Sequence, residues 1–173
     1  MSDQKCQIAN QTAELTVVLI QPDIPQNTGN IARLCYATGT RLVLVRPLGF
    51  RLTDAGLERA GMDYWKSLNP LILDDLEEFF EWSQNRKVYY LSAHASKNYA
   101  KVLFQKGDVL AFGSESSGLP EKLLQKAETI TNAISLPMIP EARCINVSSS
   151  AAAVVYEALR QIYNWSGSSP EPA

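Results

Sequence analysis

LTVVLIQPDIPQNTGNIARLC, residues 15–35, runs from an apolar segment through two prolines into a cluster of Asn, Thr, Gly and Asn, then into a helical pattern carrying one arginine. Its first six residues show no alternation of apolar and polar side chains. That marks a strand buried on both faces, and such strands belong to parallel sheets covered by helices. RLVLVR (41–46), KVYYLSA (87–93), DVLAFG (108–113) and ITNAISL (130–136) predict further strands. Between them, Ile31, Leu34, Cys35 and Thr38 space one helix face, and Asp74 opens DDLEEFFEWSQ with acids where a helix dipole favours them. PEKLLQKA (120–127) begins on the proline that suits a first helical turn. Val147, Ala151, Val154, Val155, Ala158 and Ile162 keep the spacing of a buried stripe through a long terminal helix. The alternation predicts an α/β fold, a mainly parallel sheet with helices on both faces. Ligands of such sheets sit beyond the carboxyl ends of the strands, so the polar strand exits hold the functional signal.

With 173 residues, 46% of them hydrophobic, the chain suits one domain, expected over 15–165, with 1–14 a flexible extension and 166–173, SGSSPEPA, a disordered tail. No apolar run reaches the 18 or so residues of a membrane span, and the N-terminus has neither a basic start nor an apolar core of a signal peptide. A cytoplasmic location is expected. Cys6, Cys35 and Cys144 are too far apart for a zinc motif and are expected as free thiols. No metal is expected. His94, the sole histidine, lies in no motif and is expected on a surface loop.

The net charge of −2 argues against a uniformly basic nucleic-acid binder, but the charges are segregated. Arg33, Arg41, Arg46, Arg51, Arg59 and Lys66 face only Asp54, Glu58 and Asp63 in their stretch, whereas residues 74–81 carry five acids and no base. Either one surface attracts phosphates, or both stretches are solvated helix faces.

Three strand exits stand out. In PDIPQNTGNIARLC (22–35), Asn and Thr ahead of a helix suit caps and Gly29 allows close approach, so a helix start could face an anion with Arg33 one turn in; an ordinary cap with a surface arginine fits equally. FGSESSGLP (112–120) offers backbone against which a flat ligand could lie, without the lysine of a phosphate loop, and Glu115 favours a cationic guest over a phosphate; a plain Gly-Ser turn is the other reading. In SLPMIPEARCINVSSSAAAVVYEAL (135–159), two prolines hold a loop open before a helix whose first turns, from Asn146, carry only small side chains at Ser148–Ala153. Close approach of backbone or ligand, or a simple Ala-rich helix start, both fit.

Together, NTGNIARL, FGSESSGLP and LPMIPEARCINVSSSAAAVVYEALRQ resemble motifs one, two and three of the SPOUT methyltransferases, in order. PDIPQNTGNIARLC, RPLGF (46–50) with RAGMDYW (59–65), and the LPMIPEAR core are most similar to the small single-domain tRNA wobble-ribose 2′-O-methyltransferases, over about residues 15–163. The resemblance implies a C-terminal trefoil knot, S-adenosylmethionine bound in it, tRNA as substrate and a homodimer as working unit. It places the adenosine against Leu91, Ser92, Gly113, Leu136, Met138 and Cys144, mostly through backbone. It implies Arg33 and Asn30 as catalytic, Arg33 through phosphate positioning and charge stabilisation because a guanidinium stays protonated. Asn27, Glu115, Arg143, Asn146, Ser148 and Tyr156 are implied at the substrate side, Tyr156 equally fitting a core position. Cys144 stands where serine is usual and Ser149 where asparagine is frequent. An RNA-binding module without transfer activity, or an S-adenosylmethionine sensor, would carry similar motifs. The terminal helix has apolar and aromatic residues on several faces (Val154, Val155, Tyr156, Leu159, Ile162, Tyr163, Trp165), which predicts a second contact surface beyond the core.

Overall fold

The computed structural model describes residues 14–52, 65–129 and 131–165. Cys6, residues 59–64 of RAGMDYW, the bases and acids between 53 and 64, Ile130 and the 166–173 tail lie outside the described residues. The chain runs β1 (Thr16–Ile20), α1 (Pro25–Thr38), β2 (Arg41–Val45), α2 (Trp65–Leu68), β3 (Leu71–Leu73), α3 (Leu76–Ser83), β4 (Val88–Leu91), β5 (Val109–Phe112), α4 (Glu121–Thr129), β6 (Ala133–Ile134) and α5 (Val147–Ile162). All six strands pair in parallel, in the order β3-β2-β1-β5-β4-β6.

The unbroken apolar character of β1 has a direct structural cause. Val17 and Leu19 enter one core, Val18 and Ile20 the other, and all are buried. The first core lies under α1 and α5, with Ile31, Cys35, Ala151, Val154, Val155, Ala158 and Leu159. The second lies under α3 and α4, centred on Phe79, Tyr90 and Leu123. Helices therefore cover both faces, as the strand pattern predicts. Each fully buried aliphatic or aromatic side chain stabilises this arrangement by about 1.5–3 kcal/mol.

Three local differences from the sequence reading have clear reasons. β3 was not predicted: its three residues follow Asn69 and Pro70 and are too short to show a period, yet Val43–Val45 supply a pairing edge. Helix α3 starts at Leu76 rather than Asp74, because Asp75 takes the cap and accepts from the Glu78 N–H at 2.8 Å. Helix α1 starts at Pro25, so Asn27 and Thr28 sit inside its first turn instead of capping it, and the cap residue Ile24 makes no side-chain cap bond. Proline at the first helical position explains the early start, since its missing N–H has no intrahelical partner to lose.

Pairing order determines where a ligand can enter. From β1 the chain moves outward to β2 and β3, whereas from β5 it moves the other way, through α4 to β6 beyond β4. The neighbours β1 and β5 thus flank a topological switch point, where connections diverge and leave a crevice at the carboxyl ends. From β6 the chain returns across the strand ends to place α5 against α1.

Phe79, on α3, is fully buried in the second core. Phe79→Ala is expected to lower unfolding free energy by about 3–5 kcal/mol, measured by urea denaturation, through lost transfer energy and a residual cavity.

Candidate active site at the strand exits

A cleft of about 370 Å³ opens at the carboxyl ends of β4, β5 and β6. Leu91 to His94 form one wall, Phe112 to Leu119 a second, and Ile134 to Leu136 and Met138 with Arg143 to Ile145 a third. The size falls within the range of small-molecule sites, and the mixture of apolar walls with a few polar groups is what a nucleoside requires. All six residues expected around the adenosine, Leu91, Ser92, Gly113, Leu136, Met138 and Cys144, line this cleft. Glu115 and Arg143 line it as well.

Backbone geometry accounts for the composition of the β5 exit. Ser114 and Gly118 exchange two backbone hydrogen bonds, 3.0 and 2.9 Å, closing a tight loop in which Gly118 has φ +70°. A Cβ on Gly113 would lie 2.1 Å from the Gly118 carbonyl carbon and 2.3 Å from its oxygen, so glycine is required by contact with that turn. Ser114 and Ser117 pair their hydroxyls at 2.7 Å inside it.

The β1 exit is tied to this loop across the switch point. Glu115 Oε1 accepts from Asn27 Nδ2 at 2.9 Å, and Oε2 accepts from the backbone N–H of Asp23 at 2.8 Å and of Ile24 at 3.4 Å. Asp23 answers with its own carboxylate, which accepts from the Ser116 N–H at 3.3 Å and from the Ser116 hydroxyl. The Ser116 hydroxyl, opposed by partial burial, holds the Asp23 carboxyl below the usual carboxylate range. Behind it, Gly49 of RPLGF donates its N–H to the Pro22 carbonyl at 2.9 Å, and a Cβ there would lie 2.8 Å from Asp23 Cα and O. The RPLGF glycine therefore serves backbone-to-backbone packing behind the β1 exit.

The start of α5 joins the same group. Asn146 caps the helix, accepting from the N–H groups of Ser148 and Ser149, and its Nδ2 donates to Asn27 Oδ1 at 3.1 Å. Asn27, Glu115, Asn146 and Ser148 are thus brought together in one hydrogen-bonded cluster. The helix start read as an anion site already faces an anion of its own chain, the Glu115 carboxylate.

The remaining expected residues lie elsewhere. Asn30 and Arg33 are exposed on the outer side of α1 and do not line the cleft, and Arg33 falls two turns into the helix rather than one because α1 starts early. Tyr156 is half exposed on α5, not a core tyrosine. Val154, Val155 and Leu159 are buried within the chain's own core, so the broad apolar character of α5 mostly reflects a wide buried face, leaving Tyr156 and Trp165 outside it. Sequence reasoning missed Asp23, which no motif argument singles out, and His94, whose exposed loop position is as expected but borders the cleft. Among the described residues no cluster of three or more His, Cys, Asp or Glu side chains could hold a metal ion. No helix among them is long and apolar enough to cross a membrane.

The arrangement defines an α/β protein with a nucleoside-sized cleft built from the exits of β4, β5 and β6, beside the switch point between β1 and β5. Residues 14–156 match the SpoU rRNA Methylase family, and the chain belongs to it. The fold of that family carries the trefoil knot. The chain is 46% identical over 145 residues to the tRNA (cytidine(34)-2′-O)-methyltransferase of Methylovorus glucosotrophus, covering 84% of this chain and 94% of that protein. Among solved structures, one concerned with 2-OH methylation of C/U34 on tRNA is similar at 37% identity and TM-score 0.81, over 89% of this chain and 99% of that one. An AdoMet-bound rRNA methyltransferase from Sinorhizobium meliloti is similar at 26% identity and TM-score 0.71, over 89% of this chain and 59% of that one.

Gly113→Ala forces the Gly118 carbonyl to move and so reshapes one cleft wall. Overpacking strain of about 1–3 kcal/mol predicts S-adenosylmethionine affinity weakened roughly tenfold, read by calorimetric titration on protein whose circular dichroism is unchanged.

Proposed function

We infer that this protein transfers the methyl group of S-adenosylmethionine to the ribose 2′-hydroxyl of nucleotide 34, the wobble position, of tRNA. The observation that carries the reading is that the motif-bearing exits after β5 and β6 line one cleft of nucleoside size, with the β1 exit hydrogen-bonded to its Glu115 wall. Similarity to relatives with that activity over most of both chains supports it.

Bound in the cleft, the cofactor supplies a methyl group on a positively charged sulfur. Leu91, Leu136 and Met138 would hold the flat adenine between apolar walls, with Ser92, Gly113 and Cys144 presenting backbone at its edge. Methyl transfer is an in-line displacement, so the protein must align the ribose hydroxyl and offset the charge that develops on it. Arg33, permanently protonated, suits that charge and the neighbouring phosphate, with Asn30 one turn before it on the same exposed side of α1. Arg143 is exposed at the cleft rim, where a cation suits a tRNA phosphate.

A homodimer is part of the proposal. Arg33 and Asn30 are exposed on α1 and do not line their own chain's cleft, so a second copy placed against α1 and α5 would bring one subunit's arginine to the other's cofactor. Exposed apolar side chains on and just before this helix pair support it: Ile24 at the cap of α1 and Tyr36 on it, Ile145 ahead of the α5 cap and Tyr156 on that helix, with Tyr36 53% and Tyr156 50% accessible. Pairing also doubles the phosphate-contacting surface of a chain without an appended RNA-binding domain among its described residues.

Incubation with labelled cofactor and total tRNA, followed by mapping of the methylated ribose, tests the reaction. Label at nucleotide 34 is expected; tRNA binding without transfer would overturn it. Arg33→Ala is expected to keep cofactor affinity while single-turnover transfer falls at least about tenfold, a loss of about 1.4 kcal/mol in the transition state. Tyr156→Glu is expected to lower both the mass seen by light scattering and transfer. Full transfer by a wild-type monomer would overturn the dimer requirement.

A further inference from the structure

The hydrogen bonds around Glu115 have a direction, and it is imposed from outside the cleft. At the start of α5 the N–H groups of Ser148 and Ser149 and the Ser148 hydroxyl all donate to one atom, Asn146 Oδ1, at 2.9, 3.4 and 2.6 Å. Three donors settle which end of the Asn146 amide is oxygen. Its nitrogen must then face Asn27, so Asn27 presents its oxygen there, and the Asn27 nitrogen is left to face Glu115. Glu115 meets donors at both oxygens: the Asn27 amide at Oε1, and the backbone N–H groups of Asp23 and Ile24 at Oε2. A group that only accepts is the one that fits, and a carboxylate is that group. Both oxygens are turned to the β1 exit. Asp23 completes a reciprocal clasp: its N–H serves the Glu115 side chain, and its side chain serves the N–H and hydroxyl of Ser116.

We propose that Glu115 and Asp23 are positioning residues, two carboxylates that lock the β5-exit wall of the cleft onto the start of α1 through a relay whose direction is set by the α5 cap. Glu115 takes no proton and touches no reacting atom. It holds residues 113–118 in the shape that receives the cofactor, and it joins that wall to the helix bearing Asn30 and Arg33. The inference rests on the cleft being the S-adenosylmethionine site.

The direction of the relay makes a specific test possible. Glu115→Gln replaces one accepting oxygen by a donor, and either orientation sets donor against donor, at Asn27 or at the Asp23 and Ile24 N–H groups. Turning Asn27 to relieve this sets its amide nitrogen against that of Asn146, which the α5 cap prevents from turning. Asn27→Asp alone sets two carboxylates against each other. The two changes together satisfy every bond again: the new carboxylate at position 27 accepts from Asn146 and from the new amide at position 115, whose oxygen accepts from Asp23 and Ile24. Net charge is conserved.

Wild-type, Asn27→Asp, Glu115→Gln and the paired variant would be compared by calorimetric titration with S-adenosylmethionine and by single-turnover transfer to tRNA. Each single change is expected to weaken cofactor binding at least about tenfold, as expected for a charged hydrogen bond replaced by a mismatch, and the pair is expected to recover both affinity and transfer. If the pair recovers cofactor affinity while transfer stays at the level of Glu115→Gln, the Glu115 carboxylate acts on the reaction and the positioning role is overturned. Wild-type behaviour of Glu115→Gln alone overturns it too, as does a pair that remains as defective as the single variants, whether in folding or in binding. Absence of cofactor binding by the wild-type protein would instead count against the cleft assignment, so the two failures are distinguishable. Asp23→Ala, with Asp23→Asn as the conservative partner, adds a second readout: the alanine is expected to weaken cofactor binding at least about tenfold and the asparagine, which still accepts from Ser116, to restore most of it.

Discussion

Two loops that leave neighbouring strands in opposite topological directions have no reason to stay together unless something binds them, and here a carboxylate does. Glu115, on the loop after β5, accepts hydrogen bonds from the loop and first turn after β1, while Asp23 returns the contact to Ser116. The cleft opens at the ends of β4, β5 and β6, and the switch point puts the β1 exit beside its β5 wall. The clasp gives it a defined wall. Asn146 ties the start of the last helix to the same point through Asn27, 119 residues away in sequence, so three separate segments meet through a few side chains. Removing one partner from such a cluster leaves a polar group without its bond, which is far more damaging than the modest net worth of any one hydrogen bond.

The scaffold keeps those exits in register. Every residue of β1 and β5 is buried, and the two strands pair from Thr16 with Val109 to Leu19 with Phe112, so their carboxyl ends stop close to the same level. Two cores, one on each face, hold the sheet between α1 with α5 and α3 with α4. Close contact substitutes for large side chains near the cleft: Gly113 lies under the Gly118 carbonyl and Gly49 under Asp23. These glycines are spatial requirements, and their neighbours in space, not in sequence, create them.

Much of this was legible in the chain. The continuous apolar strands announced a sheet covered on both faces, and five of the six strands were located from them; the three-residue β3 was too short to carry a period. The motif order pointed to the cleft, and all the residues expected around the adenosine line it. Helix α1 was placed, but its start was read too late, because Asn27 and Thr28 look like caps when only local propensity is weighed and Pro25 already begins the helix. The last helix looked apolar on too many faces for one core. Much of that surplus is absorbed by a wide face against the sheet, while Tyr156 remains outside.

By itself the sequence determined the alternation of strand and helix, the burial of both sheet faces and the three polar exits, because these follow from short-range periodicity and from the conformational preferences of Gly, Pro and Asn. Tertiary structure alone decided that Asp23 closes on Ser116, that Glu115 turns both oxygens toward the β1 exit, and that Arg33 lies exposed outside its own chain's cleft. These are outcomes of strand order and helix packing between residues about ninety positions or more apart, or of the face a helix turns outward once packed. A hydrogen bond's partner and direction depend on which donors share the space, and no local pattern records that.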